Sequence, residues 1–548
     1  VIFQHRAVTR RTRRALPLAA GLLSLSALAV QTGPASPAAA ATPRPVTPAE
    51  AGTDARLDAI RDDPGRMERF FTALPKGGDL HNHLSGAVTT EYLVELAAQD
   101  GLCIETATTT AVAPPCGPGT RPAREARTDK GFRDEIVRGW SMEDFPEGGN
   151  GHDHFFDAFG KFGAVTWRHP GKLLADVADT AAKQNQSYLE TMATPASEGS
   201  KKLANQVGWD EDLAALHRKL TAGGKLDELV AEAGREADRA GAEFREAARC
   251  GTAAARPGCR LKVRWISQAS RGSSPARVFT QLALGMRLAE RDGRFRAVNL
   301  VQPEDGEEAL TNYRLQMRML KHLRGVYPKA HVTLHSGELT PGLVKPEDLA
   351  FHIQEAVDVA GAERIGHGVD LVHEDGWRRT ARTMAAREIA VEVPFTSNAQ
   401  ILGVKGAEHP FSTYRAYGVP VVLATDDPGI SRTDIGDEYR YASQTYGLTY
   451  PELKDLSRAS LEYAFMPGRS LWKGNPTREG YTLGGACAGE RPGQARPGPR
   501  CRALLEGSEK AGMQWRQEAA FHRFESDVRT GGLDGDAAGT ARAAGAGG

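Results

Sequence analysis

The sequence has no surplus of either charge: Lys+Arg and Asp+Glu both number 69, and the formal net charge is zero. Proteins that track phosphate backbones need a basic excess, so nucleic acid is not expected as a partner. Cysteine is scarce, six in 548 residues, and no two are spaced as CxxC. That spacing argues against zinc-ribbon chemistry, and the HxE with PCxxC signature of cytidine-type deaminases is also missing. There is no GxSxG elbow to support a serine hydrolase, and no internal repeat. The apolar run "ALPLAAGLLSLSALAV" (15–30) contains Pro17 and Gly21 and is too short for a good membrane span.

The same run makes sense as part of a sorting signal. Arg6, Arg10, Arg11, Arg13 and Arg14 precede it, and the small-residue stretch "PASPAAAATP" (34–43) follows. Residues 1–41 therefore read as a signal peptide, and the protein as secreted. In an exported chain the six cysteines suggest disulfides. Six cysteines allow about 15 connectivities. The local pairing Cys103 with Cys116, Cys250 with Cys259 and Cys487 with Cys501 is favoured, because each pair lies in its own polar, Pro/Gly-rich segment.

Beyond the signal, residues 42–75 read as a linker and a helical lead-in. Eight short runs rich in apolar and β-branched residues then recur, each followed by a helix-length stretch. They are 78–83, 187–193, 261–267, 295–301, 331–336, 364–369, 389–395 and 419–425. This alternation predicts an α/β fold, a parallel (β/α)8 barrel over 76–470 that is enlarged by insertions. Residues 100–150 are expected to be an irregular excursion. Residues 196–259 are expected to hold two charged amphipathic helices. Residues 471–529 read as a C-terminal helical extension, and 530–548, nearly all Gly, Ala, Asp and Thr, as a disordered tail.

In such barrels the chemistry sits at the C-terminal ends of the strands. Four of those ends carry residues that can hold a metal. The first has His81 and His83, which share a face as i and i+2 of a strand. The fifth has "HSGE" with His335 and Glu338, the sixth "GHG" with His367, and the eighth "TDDPG" with Asp426 and Asp427. Singly, each has a plainer explanation: a core histidine, a capping turn, or a carboxylate in the first turn of a helix. Together they aim imidazoles and carboxylates at one mouth.

In order, "PKGGDLHNHLSGA", "HSGE", "RIGHGVDL", "VEVPFTSN" and "ATDDPG" resemble the adenosine deaminase family of the amidohydrolase superfamily, and the secreted context is similar to its growth-factor-like branch. The resemblance spans roughly residues 75–470. It implies one Zn²⁺ per chain, held by His81, His83, His335 and Asp426, and hydrolysis of adenosine to inosine and ammonia, with 2'-deoxyadenosine as a further substrate. It further implies that His367 holds the attacking water and takes its proton, that Glu338 protonates purine N1, and that Asp427 engages N7. Gly86 and Ser85, Phe156 and Phe159 on the "GHDHFFDAFGKF" helix, and Gln302 are the expected substrate-contact positions. Glu392, Ser397 and Asn398 are expected to orient His367 or its loop. His152 and His154 form a second HxH and are read as helix residues behind an Asp153 N-cap, while His352 and His373 are read as helix or loop residues.

Two departures from the family pattern bear on substrate. Ser85 stands where adenosine-specific members commonly carry an acid that meets the ribose, and Gln302 stands where a glycine usually reaches purine N3. Adenine or another aminopurine is therefore an alternative substrate, and an extracellular binding protein built on the barrel scaffold is an alternative function. The partner expected is a small aminopurine nucleoside, with no membrane contact after signal cleavage. Homodimer formation is left open.

Overall fold

The computed structural model describes residues 45–533. The expected signal segment 1–41 and the tail from 534 onward lie outside the described residues. Eight strands form one sheet: β1 (Gly77–His83), β2 (Gln186–Ala193), β3 (Lys262–Ser270), β4 (Phe295–Val301), β5 (His331–Ser336), β6 (Arg364–His367), β7 (Ala390–Val393) and β8 (Val421–Leu423). Each pairs in parallel with its sequence neighbour. Helices cover the sheet, so most strand residues are buried and the strands read as near-continuous apolar runs.

The sheet closes on itself. Asn82 bridges Asp426 in parallel, the Asp426 N–H donates to His81 O, and the His83 N–H donates to Asp426 O, both at 2.9 Å. This is the (β/α)8 barrel that the sequence predicts, and its closing seam passes directly through three of the expected metal ligands.

A chain of buried charges crosses the barrel interior beneath that seam. Arg364 of β6 donates to Glu190 of β2 at 2.7 Å and to Glu392 of β7. It also bonds the Tyr463 carbonyl at 3.0 Å. Strands β2, β6 and β7 and the Tyr463 segment are thus joined by one guanidinium, which can serve several acceptors because its donors are fixed in a plane.

The insertions are more regular than expected. Residues 100–150 contain a small antiparallel sheet (Cys103–Glu105, Ala111–Val112, Thr120–Pro122) and a helix, Lys130–Trp140. Short strands bounded by Thr, Pro and Gly left little periodicity to detect. Between 196 and 259 there are three helices, not two: Ser197–Val207, Leu213–Thr221 and Lys225–Ala247. All three local disulfides are formed. The helix Glu509–Arg529 docks on Tyr450–Glu462 through a bidentate Arg458–Glu518 pair at 2.7 and 2.8 Å. No helix among the described residues is long and apolar enough to cross a membrane.

Replacing Arg364 by Met would leave Glu190 and Glu392 buried without their cation. Breaking a buried pair from one side costs about 3–5 kcal/mol. Denaturant unfolding of Arg364→Met should show a loss of that size, whereas a loss below about 1 kcal/mol, the worth of an exposed pair, would contradict the role assigned to Arg364.

Candidate metal centre and active site

The strand register delivers the ligands. His335 lies opposite Gly366, and Ser336 opposite His367, across the β5/β6 pair. The closing seam brings His81, His83 and Asp426 to the same end of the barrel. His335 Nε2 is 3.1 Å from Nε2 of both His81 and His83. Asp426 Oδ1 is 3.3 Å from His81 Nε2 and 3.2 Å from His83 Nε2. Donors at 2.0–2.1 Å from one tetrahedral ion stand about 3.3 Å apart. Among the described residues, His81, His335, His367 and Asp426 also place one ligand atom each within 4.8 Å of one another.

Some of the polar atoms beside this point make no protein hydrogen bond. Asp426 Oδ1, Asp427 Oδ1 and His367 Nε2 are buried with no hydrogen bond. Buried polar atoms are rarely left so, and three around one point fit a site that takes a cation and a polar ligand. The backbone agrees: His367 and Asp426 have φ of 65° and 62°. Non-glycine residues seldom adopt this left-handed region, and such strain gathers at functional sites.

Each ring is held from behind, which sets the nitrogen it presents. His81 Nδ1 lies 2.6 Å from Glu392 Oε2. His335 Nδ1 lies 2.9 Å from Asn299 Oδ1, and His83 Nδ1 lies 3.2 Å from Gln268 Oε1. Ser397 Oγ donates to Asp426 Oδ2 at 2.7 Å. Burial pushes the Glu392 carboxyl up, but Arg364 and His81 outweigh it and hold its pKa down at about 2. Glu392 thus stays anionic behind a ligand histidine. It supports His81, not the expected His367, while Asn398 is the residue on His367 Nδ1, at 2.8 Å.

Glu338 follows β5 in an irregular loop, not in a helical turn. Its carboxyl is raised well above the usual range by burial, then by the Asp426 and Glu304 carboxylates, and lies 3.7 Å from His367 Nδ1. Burial likewise raises Asp427 and lowers His367. The site therefore favours a neutral acid beside a neutral imidazole.

Two glycines make room. A Cβ on Gly366 would stand 2.5 Å from His81 Cε1, and one on Gly86 would stand 1.8 Å from Asp427 Oδ1. Ser85 is half-buried on the short helix Leu84–Ala87.

Gln302 is exposed, and its Oε1 accepts the Gly272 N–H at 3.1 Å. The helix Gly151–Thr166 is capped by Asn150, whose side chain accepts from Asp153 N. Asp153 is therefore not the cap. Phe155 and Phe162 are buried on that helix, while Phe156 and Phe159 are half-buried. His152 Nε2 bonds Asp305 Oδ1 at 3.1 Å, and His154 Nε2 bonds the Ser141 carbonyl at 2.9 Å.

Glu304 was not among the residues expected at the site. Wholly buried, it accepts the Glu338 N–H at 2.9 Å and the Gly337 N–H at 3.2 Å, and binds His352 Nδ1 at 2.6 Å. His352, expected to be an ordinary helix or loop residue, is thus part of the scaffold under Glu338. The one available signal was polarity: Asn299 and Glu304 flank an apolar strand end, and buried polar groups need partners.

A barrel whose strand ends converge three histidines and an aspartate on one point, with an acid and a fourth histidine beside it, defines a metal-dependent hydrolase of the amidohydrolase type. The family model described as adenosine deaminase matches residues 168–471. The chain belongs to the adenosine deaminase family. Adenosine deaminases from Shewanella loihica (strain ATCC BAA-1088 / PV-4) and Escherichia coli (strain SE11) are 37% and 35% identical over 136 and 137 residues. Each alignment covers 25% of this chain and 38% of the relative. Among solved structures, a zinc-bound amidohydrolase from Burkhoderia ambifaria is similar at 17% identity and a TM-score of 0.49, covering 90% of this chain and 98% of that one. The apo N6-methyl-AMP deaminase from Arabidopsis thaliana is similar at 21% identity and a TM-score of 0.48, covering 73% and 94%.

Gly366→Ala should push His81 out of its ligand position. Support-shell losses typically weaken metal affinity by about 10–100-fold. Titration of the variant with zinc against a competing chelator should show a drop in that range, and wild-type affinity would contradict the packing described.

Proposed function

We propose that the protein is a secreted, zinc-dependent hydrolytic deaminase of adenosine, and of 2'-deoxyadenosine, releasing inosine or deoxyinosine and ammonia. The observation that carries this reading is the convergence of His81, His83, His335, His367, Asp426 and Asp427, with Asp426 Oδ1, Asp427 Oδ1 and His367 Nε2 buried and without a protein hydrogen bond. His81, His83, His335 and Asp426 would hold the ion, and when bound it supplies Lewis acidity that lowers the pKa of a water to about 7. His367 orients that water. Glu338, buried and neutral, gives its proton to purine N1, so that C6 becomes the electron-poor centre. Asp427 meets N7, in the space that Gly86 leaves beside it. Secretion is supported by the 1–41 pattern and by three disulfides.

A second reading keeps the chemistry and changes the substrate. Ser85 offers no carboxylate to a ribose, which favours adenine or a modified adenosine over adenosine.

Ammonia release from adenosine, 2'-deoxyadenosine and adenine tests both readings. The first reading predicts turnover of the nucleosides ahead of the free base, and the second predicts the reverse order. Glu338→Gln should lower kcat by about 10²–10⁴-fold while metal content stays unchanged. No ammonia from any aminopurine with zinc-loaded protein, or an active Glu338→Gln, would contradict the proposal.

A further inference from the structure

A buried line of side chains reaches His367 from behind. The Asn398 amide stands between two rings, 2.8 Å from His367 Nδ1 and 2.9 Å from His409 Nε2. All three side chains belong to the buried interior. The far end of the line is fixed by the main chain: the Phe411 N–H points at His409 Nδ1 at 3.1 Å. A backbone N–H can only donate, so His409 Nδ1 accepts and carries no proton.

The rest follows by counting protons. A neutral imidazole has one N–H, and for His409 it must be Nε2–H. Burial, and then the nearby His367, hold this ring neutral, with its pKa down at about 3. Phe395 stands edge-on to it, with ring centres 5.1 Å apart, so its surroundings are apolar. As positioned, Asn398 turns Nδ2 to His409 and Oδ1 to His367. His409 would then accept at both nitrogens, which only an imidazolate can do. The two ends of an amide have nearly the same shape, and turning it over keeps both distances and removes the conflict. The Asn398 oxygen then accepts from His409 Nε2–H, and its nitrogen donates to His367 Nδ1. The proton of a neutral His367 is left on Nε2, the buried atom with no protein partner, 4.0 Å from Asp426 Oδ2.

We propose that His409, acting through Asn398, is a positioning residue that fixes His367 as its Nε2–H tautomer, so that His367 meets the attacking water as a hydrogen-bond donor. This deepens the deaminase reading and rests on it for the role of His367. In place of the proton-accepting role that the family resemblance implied, the preset N–H stabilises charge on the attacking oxygen, and the proton that the water gives up passes to the Asp426 carboxylate, whose Oδ2 lies 4.0 Å from the same nitrogen.

The ¹⁵N spectrum of histidine-labelled, zinc-loaded protein tests the assignment, with His367 identified by difference against His367→Gln. The expected result is a protonated, pyrrole-type Nε2 and a bare, pyridine-type Nδ1. The reverse pattern overturns the proposal. Asn398→Asp adds a second test, because a carboxylate can only accept: it should force the proton onto His367 Nδ1 and lower kcat at least tenfold, with KM within threefold. An unmoved His367 spectrum with kcat within threefold of wild type overturns it. If that variant does not fold, His409→Phe, which keeps an aromatic ring beside Phe395, should abolish the single tautomer, and an unchanged spectrum again overturns the proposal. The spectra need no turnover, so a wrong substrate class leaves the tautomer readable, whereas a wrong tautomer leaves deamination intact.

Discussion

The structure depends on the hydrogen bonds that close the barrel between its last and first strands. Asp426 donates its N–H to His81 O and accepts the His83 N–H on its own carbonyl, each at 2.9 Å. Those two bonds do more than complete a sheet. They fix the backbone of three ligand residues, two of which, His81 and His83, lie more than 340 positions before the third, Asp426. Asp426 adopts a strained φ of 62° there, a conformation that persists only where its surroundings hold it. Fold closure and ligand assembly are therefore the same event.

Around that seam the protein holds its reactive groups through partners of opposite character. Glu392, anionic and paired with Arg364, stands behind His81. The neutral amides of Asn299 and Gln268 stand behind His335 and His83, and the Asn398–His409 line stands behind His367. One ligand is thus made more basic by a charge, while the others are oriented without one. Because low-dielectric surroundings strengthen every such contact and make an unpaired group costly, the partners are as constrained as the ligands themselves. Glu304 extends the same logic to Glu338 by holding two successive N–H groups of a loop that has no helix or strand to order it.

Much of this was legible in the sequence. The eight strands could be read because parallel strands covered on both faces must be apolar along their length, and the polar residues ending them stood out against that background. His81, His83, His335, His367, Asp426 and Asp427 were found for that reason. The supporting partners were harder to see. Glu304 and His409 lie in loops where polar residues are ordinary, and only their contacts in the folded chain, Glu304 with the Gly337 and Glu338 N–H groups and His409 with Asn398, give them meaning. Gln302, expected as a substrate contact, has a φ of 83° and a side chain bonded to the Gly272 N–H, a local geometry that no pattern in the sequence signals. The small sheet at 103–122 was missed because strands of two or three residues carry too little alternation to register.

The central claim is that three imidazoles and one carboxylate from three strand ends, those of β1, β5 and β8, form a single metal site. Metal content measured on the purified, zinc-equilibrated chain and on His335→Ala tests it directly. One ion per chain is expected in the first and a loss of tight binding in the second. Zero or two ions in the wild-type protein, or a variant that keeps its ion undiminished, would contradict it.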